Sequence, residues 1–266
     1  MSGARRWLSM YTGERDGQFN MRFDLQLVNR FRGRLERSQT SVPILRFYEW
    51  KPYCISIGRN QAESDIDVLA AKRDGIDIVR RPTGGKAVLH AEELTYSVVM
   101  ETGGLSVIES YNMISGALVD GLRTFGVDFE LSKSSADFRK LFHDPATIPC
   151  FSTSAIFEVE YHGKKLVGSA QRRFGEILLQ HGSILIGDFH KRIVDYLAVN
   201  EDTRVKTRDD LAAHTTTLNE ILGRQADVES VIRAIESGFE RSFDAECEPY
   251  AGSMIPVESS KTSAQQ

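Results

Sequence analysis

The sequence predicts an α+β fold. Short β-rich runs follow one another between turn residues, helical periodicity is confined to separate segments, and His162-Gly163 gives a two-residue hairpin signal. The chain has 266 residues, 41% of them hydrophobic, enough to bury one large core. Residues 1–250 are therefore expected to form a single domain. Residues 251–266, with Ser259-Ser260-Lys261-Thr262-Ser263, are expected to be a disordered tail.

Residues 9–12 open as a strand. Met21, Leu25, Val28 and Phe31 recur at spacings of three and four, which predicts a helix over 18–35. Residues 44–50 and 54–57 are β-rich and are split by the turn Lys51-Pro52. Ser64 is placed to cap a helix that runs to about Gly75. Strands are expected at 76–80 and 94–100, with a glycine-rich loop between them. Residues 106–125 read as a helix and 127–131 as a strand. The runs 157–161 and 165–170 flank the hairpin turn, and 176–186 is a further strand. A short helix at 218–222 and an amphipathic one at 227–243 complete the pattern.

Composition excludes several classes. A net charge of −4 gives no general attraction to nucleic acid or anionic lipid. No apolar run approaches the roughly 18 residues a membrane helix needs. The start, Met1-Ser2-Gly3-Ala4-Arg5-Arg6-Trp7, leads into no apolar signal core, so the expected location is the cytoplasm. Cys54, Cys150 and Cys247 are too few and too scattered for a disulfide framework. With no Cys-x-x-Cys and no His-x-x-x-His pair, no metal site is expected.

Two segments carry candidate chemistry. The first is Arg80-Arg81-Pro82-Thr83-Gly84-Gly85-Lys86-Ala87-Val88-Leu89-His90. Adjacent glycines allow a turn that other residues would strain, and they let a ligand lie against bare N–H groups. Arg81 and Lys86 add positive charge. The spacing is neither a P-loop nor a dinucleotide fingerprint, and by itself it reads as a tight turn with solvated charges. The second segment runs from Pro149-Cys150-Phe151 through Glu158 to Gly163-Lys164-Lys165 and Gln180-His181-Gly182. A cysteine attacks only as thiolate and needs a nearby cation. Lys165 could supply it. Strand alternation lets only one of Lys164 and Lys165 point inward. Cys150 remains open between nucleophile and inert thiol on this ground. Cys54 reads as a packed core thiol, and Glu246 and Glu248 should raise the pKa of Cys247. His90 and His181 each read as ending a strand near a glycine.

Together the segments resemble the biotin/lipoate protein ligase superfamily. Within it they are similar to the cysteine-dependent octanoyl-[acyl-carrier-protein]:protein N-octanoyltransferases. Lys165-Leu166-Val167-Gly168-Ser169-Ala170-Gln171, Leu179-Gln180-His181-Gly182-Ser183, Leu45-Arg46-Phe47-Tyr48-Glu49-Trp50 and Ser56-Ile57-Gly58 extend the match, which covers about 7–243. Arg22 stands where that family shows a small residue and Leu25 where it shows an acidic one. The resemblance implies a mixed β-sheet core flanked by helices. It implies Cys150 as the acyl-thioester nucleophile and Lys165 as the residue that lowers its pKa. It also implies substrate contacts from Arg81, Thr83, Gly84, Gly85, His90, Gly168, Ser169, Ala170, Gln171, His181 and Gly182.

The implied reaction moves an octanoyl group from octanoyl-acyl-carrier protein to Cys150. It then passes to a lysine of a lipoyl-domain protein, such as a glycine-cleavage H-type protein or a dehydrogenase E2 subunit. Thioester to amide is downhill, so no cofactor is expected. The alternatives are an ATP-dependent lipoate-protein ligase, a lipoyl amidotransferase between lipoyl domains, and a non-catalytic acyl-carrier-binding module. Ligases place an acidic residue and a Gly-Asn pair after the glycine loop, whereas His90 is followed here by Ala91-Glu92-Glu93. A preference for eight carbons requires a wall at the end of the acyl tunnel, for which Phe47, Val79 and Val88 are candidates.

Overall fold

The computed structural model describes residues 5–37, 41–132 and 158–251. Cys150, Phe157 and the expected tail beyond Ala251 lie outside these residues. Among the described residues an eight-stranded mixed sheet has the order Ala245–Pro249, Arg5–Arg15, Ile44–Trp50, Glu93–Glu101, Ile177–Leu185, Lys164–Phe174, Val159–Tyr161, Glu130–Leu131, and a three-stranded sheet has the order Asp77–Arg80, Cys54–Ile57, Val88–His90. With helices packed against the sheets, this is the expected α+β architecture.

β1 (Arg5–Arg15) leads into α1 (Gly17–Glu36) through Asp16, whose carboxylate accepts from Phe19 N at 2.7 Å. The buried stripe of α1 is Met21, Phe23, Asp24, Leu27, Val28 and Phe31, while Leu25 is only half-buried. β2 (Ile44–Trp50) and β3 (Cys54–Ile57) match the sequence reading. They enter different sheets, with only Lys51, Pro52 and Tyr53 between them. The helix expected from Ser64 starts later. Glu63–Asp65 makes a 3₁₀ turn, Ile66 is extended and bridges Leu197, and α2 (Val68–Arg73) is capped by Asp67. Burial of Ile66 against the core interrupts the helix there.

β4 (Asp77–Arg80) lies parallel to β3, and β5 (Val88–His90) pairs with the other side of β3. β5 falls inside the stretch expected to be a loop. β6 (Glu93–Glu101) is central and almost wholly buried. α3 (Val107–Leu122) begins with a Ser106–Glu109 capping box. β7 (Glu130–Leu131) is shorter than expected. β8 (Val159–Tyr161) and β9 (Lys164–Phe174) form the expected hairpin, whose turn residues His162 and Gly163 have φ of 49° and 73°. β10 (Ile177–Leu185) runs between β9 and β6.

The sequence reading missed the 3₁₀ segment Phe189–Tyr196, the helix α4 (Glu201–His214) and the edge strand β11 (Ala245–Pro249). α4 buries only Thr207 and Leu211, so it has no apolar stripe to read. α5 (Leu218–Leu222) and α6 (Val228–Phe243) stand where expected. His190 anchors the 3₁₀ segment, and burial pushes its pKa down to about 4. A depressed pKa means that the unfolded chain binds the proton more readily. The stability this group contributes is present above the ordinary histidine range and is lost as pH falls toward about 4. We expect the unfolding free energy to drop over that interval by about 3 kcal/mol, with a flatter profile in His190→Gln. Equal slopes would assign the pH dependence elsewhere.

α3 and α6 cross with their backbones in contact. A Cβ at Gly238 would lie 2.2 Å from the Ala117 carbonyl oxygen, and one at Gly121 would lie 2.5 Å from that of Ala234. In an open helix Gly→Ala would stabilise by about 1 kcal/mol. Here overpacking, about 1–3 kcal/mol, opposes that gain. Gly238→Ala is therefore expected to lower Tm by several degrees. A rise would show that the helices part at little cost.

Candidate active site

The two sheets face each other around a small pocket. Its apolar wall is Met21 of α1, Tyr48 and Trp50 of β2, and Val88 of β5. Its polar wall includes Ser56, Arg81, His90, Thr95, His181 and Ser183, and Gly168, Ser169, Ala170 and Gly182 line the side formed by β9 and β10. Small residues are required at that side. A Cβ on Gly182 would sit 2.6 Å from the Gly168 carbonyl oxygen and 2.8 Å from the Tyr96 ring.

The glycine loop is clamped from within. The Arg81 guanidinium donates to the carbonyls of Gly84 (3.1 and 2.8 Å), Lys86 (2.6 Å) and Ser56 (2.9 Å). Gly85 has φ 94° and lies so close to Gly58 that a Cβ on Gly58 would fall 1.9 Å from the Gly85 carbonyl oxygen. Arg172 of β9 donates to the Pro82 carbonyl at 3.0 Å and so ties the loop to the larger sheet.

A buried polar chain runs below the loop. The Arg46 Nη1 donates to Asp24 Oδ1 at 2.7 Å, and both side chains are fully buried. Tyr48 and Ser97 hydroxyls donate to the same carboxylate at 3.2 and 2.9 Å. Burial alone would raise the Asp24 pKa, but Arg46 and His181 outweigh it and hold the group below its ordinary value. Burial pushes His181 down. The neutral ring then donates from Nδ1 to Asp24 Oδ2 (3.2 Å) and accepts the Thr83 hydroxyl at Nε2 (2.6 Å). His181 lies in the middle of β10, not at a strand end as expected. His90 does end β5.

Gln171 lies off the pocket. Its Nε2 donates to Ser110 Oγ at 3.1 Å on α3, because strand alternation puts it on the face opposite Ala170. Lys165 is buried at 3% exposure, with its ammonium on Glu158 Oε1, while Lys164 is half-exposed with Nζ 4.0 Å from Glu220. The inward and outward assignment of the two lysines follows the sequence reading. Burial pushes the Cys54 thiol well up. Cys247 is pushed up to about 12, first by burial and then by Glu240 and Glu236 of α6. Those carboxylates replace the flanking Glu246 and Glu248 as the cause, since β11 lies along α6.

The sequence reading did not single out Asp24, Arg46 or Glu93 as site residues. A charged residue in the buried stripe of a helix, or between Leu45 and Phe47 in a strand, was the available signal. Among the described residues no group of His, Cys, Asp and Glu could hold a metal, and no helix is long and apolar enough to cross a membrane.

Known proteins share this architecture. A lipoate-protein ligase A solved with ATP superposes with a TM-score of 0.72 at 21% identity, covering 94% of this chain and 90% of its own. The bipartite lipoate protein ligase of Thermoplasma acidophilum gives 0.70 at 22% identity, covering 94% and 88%. In sequence, the octanoyltransferase LipM of Kyrpidia tusciae is 37% identical over 250 residues, 91% of this chain and 89% of that protein. The LipM of Staphylococcus aureus is 33% identical over 252 residues, again 91% and 89%. The profile described as lipoyl protein ligase A/B catalytic domain matches residues 16–240. A match across most of the chain, with the fold and the glycine-walled pocket in place, establishes that the chain belongs to the lipoyl protein ligase A/B catalytic-domain family.

Proposed function

We propose that this chain is an octanoyltransferase of protein lipoylation. The observation that carries the reading is the 33–38% identity, over most of the chain, to proteins named octanoyltransferase LipM. The narrow pocket, apolar on one wall and polar on the other, suits a medium acyl chain with a reactive carbonyl. In this reading octanoyl-acyl-carrier protein is the donor and Cys150 the nucleophile. The thiolate attacks the carrier thioester, the carbon–sulfur bond to the carrier breaks, and the acyl group rests on Cys150. The amine of a lipoyl-domain lysine, on an H-type or E2 protein, then attacks and expels the Cys150 thiolate. Lys165 supplies positive charge to thiolate and oxyanion, held in place by Glu158. The reaction belongs in the cytoplasm.

The direct test incubates protein, octanoyl carrier and acceptor domain without ATP and weighs the acceptor. Transfer that appears only with ATP would move the chain to the ligases. Lys165→Gln is expected to slow alkylation of Cys150 at neutral pH and to move the pH–rate profile upward. An unchanged profile would leave Lys165 a positioning role only. Burial contributes about 0.8 kcal/mol per methylene, so a six-carbon donor should be roughly fifteenfold poorer than an eight-carbon one. The wall that stops longer chains is drawn from Met21, Tyr48, Trp50 and Val88. Phe47 points from β2 into the opposite core, and Val79 packs behind Met21 and Trp50. A rate that rises steadily to sixteen carbons would refute the octanoyl assignment.

A further inference from the structure

The same pocket holds a second set of groups to which the transferase reading gives no chemical step, only substrate contacts at Arg81 and His90. Ser56 Oγ is 2.7 Å from His90 Nε2, and His90 Nδ1 is 2.8 Å from Glu93 Oε1. A carboxylate can only accept, so Nδ1 carries the proton and donates to Glu93. Nε2 is then left to accept the Ser56 hydroxyl. The ring is fixed by Trp50, which stacks on it at 4.0 Å and 13°. Trp50 Nε1 also donates to Thr95 Oγ1 at 2.7 Å, and Thr95 donates on to Glu93 Oε1 at 2.5 Å. Ser183 Oγ lies 3.3 Å from His90 Nδ1. Arg81 Nη1 donates to Ser56 Oγ at 3.1 Å, so a guanidinium faces any charge that develops there. Glu93 Oε2 is buried with no hydrogen-bond partner among the described residues. That cost is commonly retained where a carboxylate orients a working group.

A hydroxyl on an imidazole nitrogen, with a carboxylate on the other, is the connectivity of an activated serine. The Thr83–His181–Asp24 chain shares it, but Arg46 already offsets the Asp24 charge and Thr83 does not line the pocket. Ser56 and His90 do line it. We propose that Ser56, with His90 as base and Glu93 as its orienting partner, is a second acylation centre that gives the protein an octanoyl-ester and octanoyl-thioester hydrolase activity. The inference rests on the medium-chain acyl pocket of the transferase reading. In the step, the Ser56 proton passes to His90 Nε2 as Oγ bonds to the acyl carbonyl carbon. The tetrahedral adduct collapses, the bond to the leaving thiolate or alkoxide breaks, and the leaving group takes the proton from His90. Water then gives its proton to the same nitrogen and attacks the ester carbonyl; the bond to Ser56 Oγ breaks, Oγ takes the proton back from His90, and octanoate is released.

The test uses the full chain carrying Cys150→Ala, with p-nitrophenyl octanoate as probe. The expected result is a nitrophenolate burst and an octanoyl adduct on Ser56, located by peptide mass spectrometry and resistant to neutral hydroxylamine, as an oxygen ester is. Adding Glu93→Gln should slow the burst on the order of 100-fold, and adding Ser56→Ala should abolish the adduct. Ser56→Cys in the same background should restore labelling as a hydroxylamine-labile thioester, which separates chemistry from misfolding. No adduct on folded Cys150→Ala, or labelling that persists in Ser56→Ala, would overturn the proposal. Wild-type protein run alongside scores the transferase reading by itself. Absence of a thioester at Cys150 would remove that reading, while an ester on Ser56 in the variant would still stand.

Discussion

Cys150→Ala is expected to reduce octanoyl transfer by about 10⁴-fold or more, because covalent catalysis loses its acceptor atom. The readout is acceptor mass after incubation with the octanoyl carrier, with circular dichroism to show that the variant folds. Cys54→Ala and Cys247→Ala should keep activity. Cys54 is sealed behind α1 and burial suppresses its thiolate, and Cys247 is held protonated by burial beside two carboxylates. Near-normal transfer by Cys150→Ala would eliminate the thioester route altogether.

Arg46→Met is expected to be the most damaging change to stability. It leaves Asp24 ionised and fully buried with its cation removed, which costs about 3–5 kcal/mol. For a chain of this size that corresponds to a fall in Tm on the order of 10 °C. Arg46→Lys should fall between the two. It keeps a positive charge but loses the planar fork that now reaches Thr12 Oγ1 and both oxygens of Asn20. The effect should shrink in acid. Asp24 is depressed in the folded state, so its contribution is present above the ordinary aspartate range and disappears as pH falls through the folded value. A loss in Arg46→Met independent of pH would assign the damage to packing and not to charge.

What could be read from the sequence was whatever repeats locally. The stripe of α1, the strand pair around Lys51-Pro52 and the His162-Gly163 hairpin each carry their signal within a few residues. α4 escaped because its faces are alike, and β5 because three residues after a glycine loop carry too little pattern. The glycine loop was legible as a loop, but its clamp was not. Gly58 and Gly85 meet only after β3 and β4 have paired. Asp24 and His181 are 157 positions apart, and nothing in either neighbourhood announces the other. Long-range polar partners of this kind are set by sheet order, which periodicity does not encode.

Tyr48 and Trp50 stand on one side of the short link through Lys51, Pro52 and Tyr53, and Ser56 stands on the other. The opposing walls of the pocket are thus successive strands of one continuous stretch of backbone, and their separation is settled when the chain folds. Little of the protein should then have to be ordered when an acyl chain enters, and affinity should follow the ligand's methylene count. Among the described residues, Met21 is the large apolar wall residue that stands outside these strands and the neighbouring β5, carried by α1 with an unbranched, adaptable side chain. Substrate length in such an architecture can drift in evolution by exchange at a single helical position, with the scaffold and the reactive groups inherited intact.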